Sequence, residues 1–300
     1  MNANFQKILE FPGHKDAIYA LCSIAGSNIF FSAGGDGFIV SWDLDKPSDP
    51  GKVIAQVNSS VYSLVYLEHK QQLMAGTRNG DVYLFDLINN SLLAQINLKS
   101  EIYSLLHLNE TIYAGNASGE IYVLNEKLEI LVSEKISQKS CRVIIPFKSG
   151  MLASGWSDHL IRILNISNLA VEETLEGHAN SVFSLAFDKT HLILFSGGRD
   201  AHMKMWDAKG TISEVMSIPA HWYTVNNLKL SPDKEFLASA SRDKTVKIWD
   251  TTSLKLLKVL DAERHGGHTH SVNILHWLNN HILISAGDDK KIEVWSLEAF

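Results

Sequence analysis

From Leu237 to Asp250 the chain reads LASASRDKTVKIWD. A short apolar run carrying Ser239 is followed by a polar turn at Ser241-Arg242-Asp243. An alternating stretch, Val246-Lys247-Ile248-Trp249, then closes on Asp250. Alternation at period two on both sides of a tight polar turn predicts a β-hairpin. The pattern recurs through the chain. Positions equivalent to Trp249 fall at Trp42, Phe85, Leu124, Leu164, Trp206, Trp249 and Trp295, in steps of 43, 39, 40, 42, 43 and 46 residues. Seven units of this length predict an all-β chain built from repeated four-stranded sheets.

Other positions keep step with the anchor. Ten residues before it stand Ser32, Ala75, Ala114, Ser154, Ser196, Ser239 and Ser285; six before it stand Asp36, Asn79, Ser118, Asp158, Asp200, Asp243 and Asp289. In four units a histidine precedes a β-branched residue by four places: His14 before Ile18, His178 before Val182, His221 before Val225 and His268 before Val272. Gly-His, then Ser, then Asp in a turn, then Trp-Asp is a pattern that resembles the WD-repeat β-propeller family over essentially the whole chain. The resemblance implies a seven-bladed propeller of four-stranded antiparallel blades, residues 1–300 forming one domain. It also implies a buried hydrogen-bonded chain of His, Ser, Asp and Trp in blades 1, 5, 6 and 7: His14, Ser32, Asp36 and Trp42; His178, Ser196, Asp200 and Trp206; His221, Ser239, Asp243 and Trp249; His268, Ser285, Asp289 and Trp295. Such groups tolerate burial only when each finds a partner. Blade 4 keeps Ser154 and Asp158 but has Leu164 for Trp, and blades 2 and 3 have lost most of the set.

The stretch Phe5 to Glu10 precedes Pro12-Gly13-His14 much as Glu214 to Ile218 precedes Pro219-Ala220-His221, and only five residues follow Trp295. Residues 5–10 are therefore expected as the outer strand of blade 7, which would close the ring and protect its sheet edges. The insert Asp45 to Gly51 belongs on the face opposite the Gly-His loops. In blade 4, which begins CRVIIPF, either Arg142 or Val143 could take the inward place.

Composition narrows the function classes. Hydrophobic residues make up 45% of the chain, enough for a large core, and the net charge of −6 disfavours general attraction to nucleic acid or anionic membrane. The start lacks the apolar region of a signal peptide, and no apolar run reaches the length of a membrane span. A cytoplasmic, monomeric protein with no cofactor is expected. Cys22 and Cys141, far apart in sequence, read as core thiols. Ser, His and Asp repeated in four blades read as structure and not as a hydrolase triad, which needs an exposed nucleophile and an oxyanion site. Gly34–Gly37 lacks the following helix of a phosphate loop. The run RHGGHTH places His265, His268 and His270 close together without a Cys or acidic ligand at matching spacing, so no metal site is assigned.

In the resembled family, residues beside the β-branched anchor and just before the Asp line the narrower face. Carried over position by position, that gives Tyr19, Tyr62, Tyr103 and Phe183, then Asn226 and Asn273, in the first set. The second set is Gly35, Arg78, Ala117, Ser157, Arg199, Arg242 and Asp288, with Trp156 and Trp222 in the same loops. Aromatic and arginine side chains dominate binding energy at interfaces. The expected function is therefore a non-catalytic scaffold that holds a peptide or partner loop, acidic or phosphorylated, on this face. Two alternatives remain: an enzyme using the central channel, and a binder of single-stranded nucleic acid by stacking.

Overall fold

In the computed structural model, which describes residues 4–298, there are seven four-stranded sheets; six follow chain order from inner to outer strand, and the seventh takes its outer strand from the start of the chain. The inner strands are Ile18–Ser23, Val61–Leu67, Ile102–Leu108, Cys141–Pro146, Val182–Asp188, Val225–Leu230 and Val272–Trp277. Each touches the next, and the last returns to the first, so the molecule is a closed seven-bladed β-propeller around a central channel. The core is divided accordingly. Seven apolar clusters each combine residues of two neighbouring blades, for example Phe195, Met205 and Trp249 between blades 5 and 6. A blade buries both faces against its neighbours, so its strands read as nearly continuous apolar runs such as Ile282–Gly287.

Closure occurs as the sequence predicts. The strand Asn4–Pro12 pairs antiparallel with Lys291–Glu298, the third strand of the blade whose inner strand is Val272–Trp277. Phe5, 1% exposed, enters the cluster between blades 6 and 7, edge-on to Phe236 at 5.9 Å and to Trp277 at 6.0 Å. Phe11 serves the next seam, against Phe30 and Trp42. One short strand thus supplies core to both sides of blade 7.

The seam also holds an unusual carboxylate. Glu293 is fully buried and neither of its oxygens accepts a hydrogen bond from a described residue; the nearest side-chain nitrogens are His268 Nε2 at 3.5 Å and Lys7 Nζ at 3.8 Å. Burial pushes this carboxyl up to about 7 against the pull of Lys7. A carboxyl whose value is raised on folding stabilises the fold below its ordinary 4.5, and that contribution is lost as pH rises through 7. The variant Glu293→Gln should therefore gain on the wild type between pH 5 and pH 8 by on the order of 2–4 kcal/mol. Urea unfolding at both pH values measures this, and a difference independent of pH would contradict it.

Two local features stand outside the repeat pattern. The connection into blade 7, which carries the RHGGHTH histidines, contains a helical turn, Ala262–His265. Asp261 caps it by accepting the Arg264 N–H, and Gly266 ends it in the left-handed region. The signal was present as Asp-Ala-Glu-Arg-His-Gly, a cap, a short run and a glycine. Pro146, in the CRVIIPF stretch that opens blade 4, sits at the end of an innermost strand, a sheet edge where a missing ladder donor is tolerated. No helix among the described residues is long and apolar enough to cross a membrane.

Candidate binding face

The four intact networks hold the upper face in place, and their donors run in one direction. In blade 6 the Trp249 indole N–H donates to Ser239 Oγ at 2.8 Å. Ser239 lies 2.7 Å from His221 Nε2, and His221 Nδ1 lies 2.8 Å from Asp243 Oδ2. A carboxylate can only accept, so Nδ1 carries the proton and Nε2 accepts from the serine hydroxyl, which leaves the imidazole neutral. Burial agrees: with Lys247 adding to it, it lowers the His221 value against the pull of Asp243. The same chain runs through Trp42, Ser32, His14 and Asp36 in blade 1. It recurs through Trp206, Ser196, His178 and Asp200 in blade 5 and through Trp295, Ser285, His268 and Asp289 in blade 7. Each Asp also accepts the N–H of the residue after the histidine: Lys15, Ala179, Trp222 and Thr269. The network therefore ties the loop entering each blade to the hairpin turn beside it.

Blade 4 makes a substitute. Ser137, in the histidine's place, donates to Asp158 at 2.7 Å, and Arg162 grips the same carboxylate with two hydrogen bonds. Leu164 leaves the serine without its usual indole, and Trp156 provides one, donating to Ser154 Oγ at 2.9 Å. This corrects the expectation for Trp156. It is the last residue of the strand Met151–Trp156 and is 0% exposed, so it supports blade 4 and cannot touch a partner.

The ring around the channel mouth has a single structural origin. Pairing between the first and second strands skips one residue in every blade, between Ile18 and Ala20, Val61 and Ser63, Ile102 and Ser104, Cys141 and Val143, Val182 and Ser184, Val225 and Asn227, and Val272 and Ile274. The skipped residues are Tyr19, Tyr62, Tyr103, Arg142, Phe183, Asn226 and Asn273. A β-bulge leaves one residue out of the ladder and re-aims its side chain. All seven line a cavity of about 440 Å³ at the channel mouth. The choice between Arg142 and Val143 falls to Arg142.

Around this ring the chemistry is not uniform. Tyr19 meets Tyr62 edge-on at 5.3 Å, and Tyr62 stacks on Tyr103 at 5.6 Å. The Arg142 guanidinium lies over Tyr103 at 4.2 Å and Phe183 at 5.1 Å, with its Nε donating to Ser157 Oγ at 2.7 Å. Blades 1 to 5 thus present one continuous arc of half-buried aromatics with a fixed cation. Burial raises the Tyr19 and Tyr62 hydroxyls, so both stay protonated donors. Across blades 6 and 7 the ring is spent on the fold: Asn226 donates to Ser271 Oγ and Val272 O, and Asn273 donates to Ile18 O and Asp288. Arg78, Arg199, Arg242 and Asp288 are exposed and are not among the residues that line the mouth cavity. Trp222 is 87% exposed, and its neighbour Tyr223, missed in the sequence, is 60% exposed.

Candidate chemistry elsewhere resolves into structure. His268, Asp289 and Glu293 have ligand-type atoms within 4.8 Å of one another. Both nitrogens of His268 are engaged, by Asp289 and Ser285, and the Lys7 ammonium stands where it would repel a cation. His265 faces Asp261 and His270 contacts Thr269, so the three histidines of RHGGHTH do not converge on one another. Both cysteines are free, and burial pushes both thiols up.

Comparison with known proteins agrees with this geometry. The model of the WD domain, G-beta repeat, matches residues 5–43, 170–207, 212–250 and 255–296, together more than half of the chain. Each segment runs from the outer strand of one blade through the first three strands of the next, and those three strands belong to blades 1, 5, 6 and 7, the ones with complete networks. Nuclear distribution protein nudF of Aspergillus niger is 32% identical over 149 residues, 49% of this chain and 33% of that protein. The ribosome biogenesis protein WDR12 homolog of Nematostella vectensis is 32% identical over 48% of this chain and 34% of its own length. The U3 small nucleolar RNA-associated protein 15 homolog of Gallus gallus is 26% identical over 70% and 41%. The matched regions thus span about a third to two-fifths of these relatives. Among solved structures, the WD40 β-propeller domain of Doa1 superposes with a TM-score of 0.86 at 19% identity, covering 99% of this chain and 98% of that one.

Proposed function

The chain belongs to the WD40 repeat family, and from that premise we propose that it is a non-catalytic interaction module whose upper face grips a protein or peptide segment bearing carboxylates or phosphates. The observation that carries this reading is the unbroken arc Tyr19, Tyr62, Tyr103, Arg142 and Phe183 on five consecutive bulges. Rigid aromatics with two or three torsions lose little entropy on contact, and an arginine pre-oriented by stacking makes bidentate contacts with an anionic group. Arg142 and Lys229 are the charged residues lining the mouth cavity, and both are cationic. That chemistry suits an anionic ligand better than it suits proton transfer between paired acids and bases. Exposed Arg78, Arg199 and Arg242 extend the basic character outward, and Trp222 with Tyr223 offers an apolar anchor beside Arg242.

Affinity capture with the wild type, with an Arg78→Glu/Arg199→Glu/Arg242→Glu variant and with Arg142→Ala tests the proposal. The triple variant should lose the partners the wild type retains while melting within a few degrees of it, since exposed substitutions cost little stability. Partner lists identical across the three proteins would reject the reading.

A further inference from the structure

The channel opens at the opposite face as well, with different chemistry. Between blades 4, 5 and 6 lies a cavity of about 280 Å³ whose walls include Phe147, Phe187 and Leu230, and whose charged lining residues are Lys189, Lys229 and Lys234. The two phenylalanine rings, 4.4 Å apart, close one side. No carboxylate lines this cavity. None of the three ammonium groups has a hydrogen-bond or ion-pair partner among the described residues.

Other lysines of this acidic protein do find acids, as Lys204 does with Glu214 at 2.8 Å and Lys291 with Glu10 at 2.8 Å. Lys229 differs most. It reaches solvent through the channel, and the protein around it holds its ammonium below the ordinary lysine value with no carboxylate to compensate. Burial, with Lys229 adding to it, also pushes His276 down to about 3, so that side chain stays neutral beside Ser23. An anion arriving here would find cations and no competing negative charge, above an apolar floor.

We propose that this lower mouth is a second binding site, which shares Lys229 with the upper cavity but has Lys189, Lys234, Phe147 and Phe187 to itself, and that it takes a carboxylate carried directly on an apolar group: the C-terminal residue of a peptide ending in a large aliphatic or aromatic side chain. A terminal residue joins a free carboxylate and an apolar side chain on one carbon, which matches three lysines set around a floor of phenylalanine and leucine. The cavity is smaller than the roughly 300 Å³ at which sites for drug-sized ligands begin. It therefore holds one side chain and its carboxylate, not a long acyl chain.

Isothermal titration calorimetry on the intact chain tests this with three probes: an N-acetylated tetrapeptide ending in leucine as the free acid, the same peptide as its C-terminal amide, and octanoate. The free acid should bind, more weakly as salt rises, and the amide should bind at least about tenfold more weakly. Lys229→Met and Lys189→Ala should each weaken the free acid several-fold. Tyr62→Ala, at the upper mouth, should leave its Kd unchanged, so failure here is distinguishable from failure of the upper-face reading. Lys189 is exposed, so its variant carries the test if Lys229→Met fails to fold. Equal affinity for acid and amide, tighter binding of octanoate than of the peptide, no heat at millimolar peptide, or loss of binding in Tyr62→Ala would each overturn the proposal.

Discussion

A chain lacking residues 1–10 is expected to aggregate, or to melt tens of degrees below the full-length protein. The strand Asn4–Pro12 is the fourth strand of blade 7, and its removal exposes the ladder groups of Lys291–Glu298 as an unprotected edge. It also removes Phe5 from Phe236 and Trp277. Truncating one buried phenylalanine to alanine costs about 3–5 kcal/mol, against a typical total stability of about 5–15 kcal/mol. The deletion adds to that the loss of ladder hydrogen bonds and of the Lys7 contacts with Glu10 and Gly266 O. Phe5→Ala alone should lower the unfolding free energy by about 3–5 kcal/mol without causing aggregation. Thermal melts followed by circular dichroism with light scattering measure both variants. A deletion variant that melts with the wild type would mean that the ring does not depend on this seam.

The variant Asp243→Ala is expected to be less stable than Asn79→Ala by about 3–5 kcal/mol, the cost of breaking a buried pair while leaving its partners unmatched. The two residues hold equivalent hairpin positions in blades 6 and 2. Asp243 is paired with His221 Nδ1 and accepts from Thr245 Oγ1 and from the backbone of Trp222 and Thr245, whereas Asn79 is exposed. Removing Asp243 strands the donor on His221 and frees the loop that presents Trp222 and Tyr223. The pH dependence has a definite sign. Hydrogen bonds from His221 and its neighbours outweigh burial and hold the Asp243 carboxyl well below the usual aspartate value of 3.8. Its contribution is therefore present above pH 3.8 and is lost as pH falls below it. The gap between wild type and Asp243→Ala, measured by urea unfolding at pH 7 and at pH 3, should narrow at the lower pH. Equal stability of the alanine variants at pH 7 would remove the network from the account of what holds the upper face.

Seven units, their strands, the four complete networks and the closing strand were all legible in the sequence. Alternation, turn residues and a repeated His, Ser, Asp and Trp are local signals, and each states which face of a strand is buried. Tyr19, Tyr62, Tyr103 and Phe183 were reached through the family resemblance, which implies that the residue after each β-branched anchor faces the mouth. Tertiary structure decided the rest. Whether Arg142 or Val143 faces the channel depends on which residue of blade 4 is left out of the ladder. That choice belongs to the pairing of two strands and is invisible in either one. Trp156 looks like a rim residue in sequence. It is buried because Leu164 vacates the indole position and Ser154, two residues away on the same face, needs a donor. Lys189, Lys229 and Lys234 are unremarkable as isolated charges, and only the closing of seven sheets into a ring brings them around one apolar cavity. A chain's periodicity fixes what each strand buries; the shape of the ring fixes which exposed groups become neighbours.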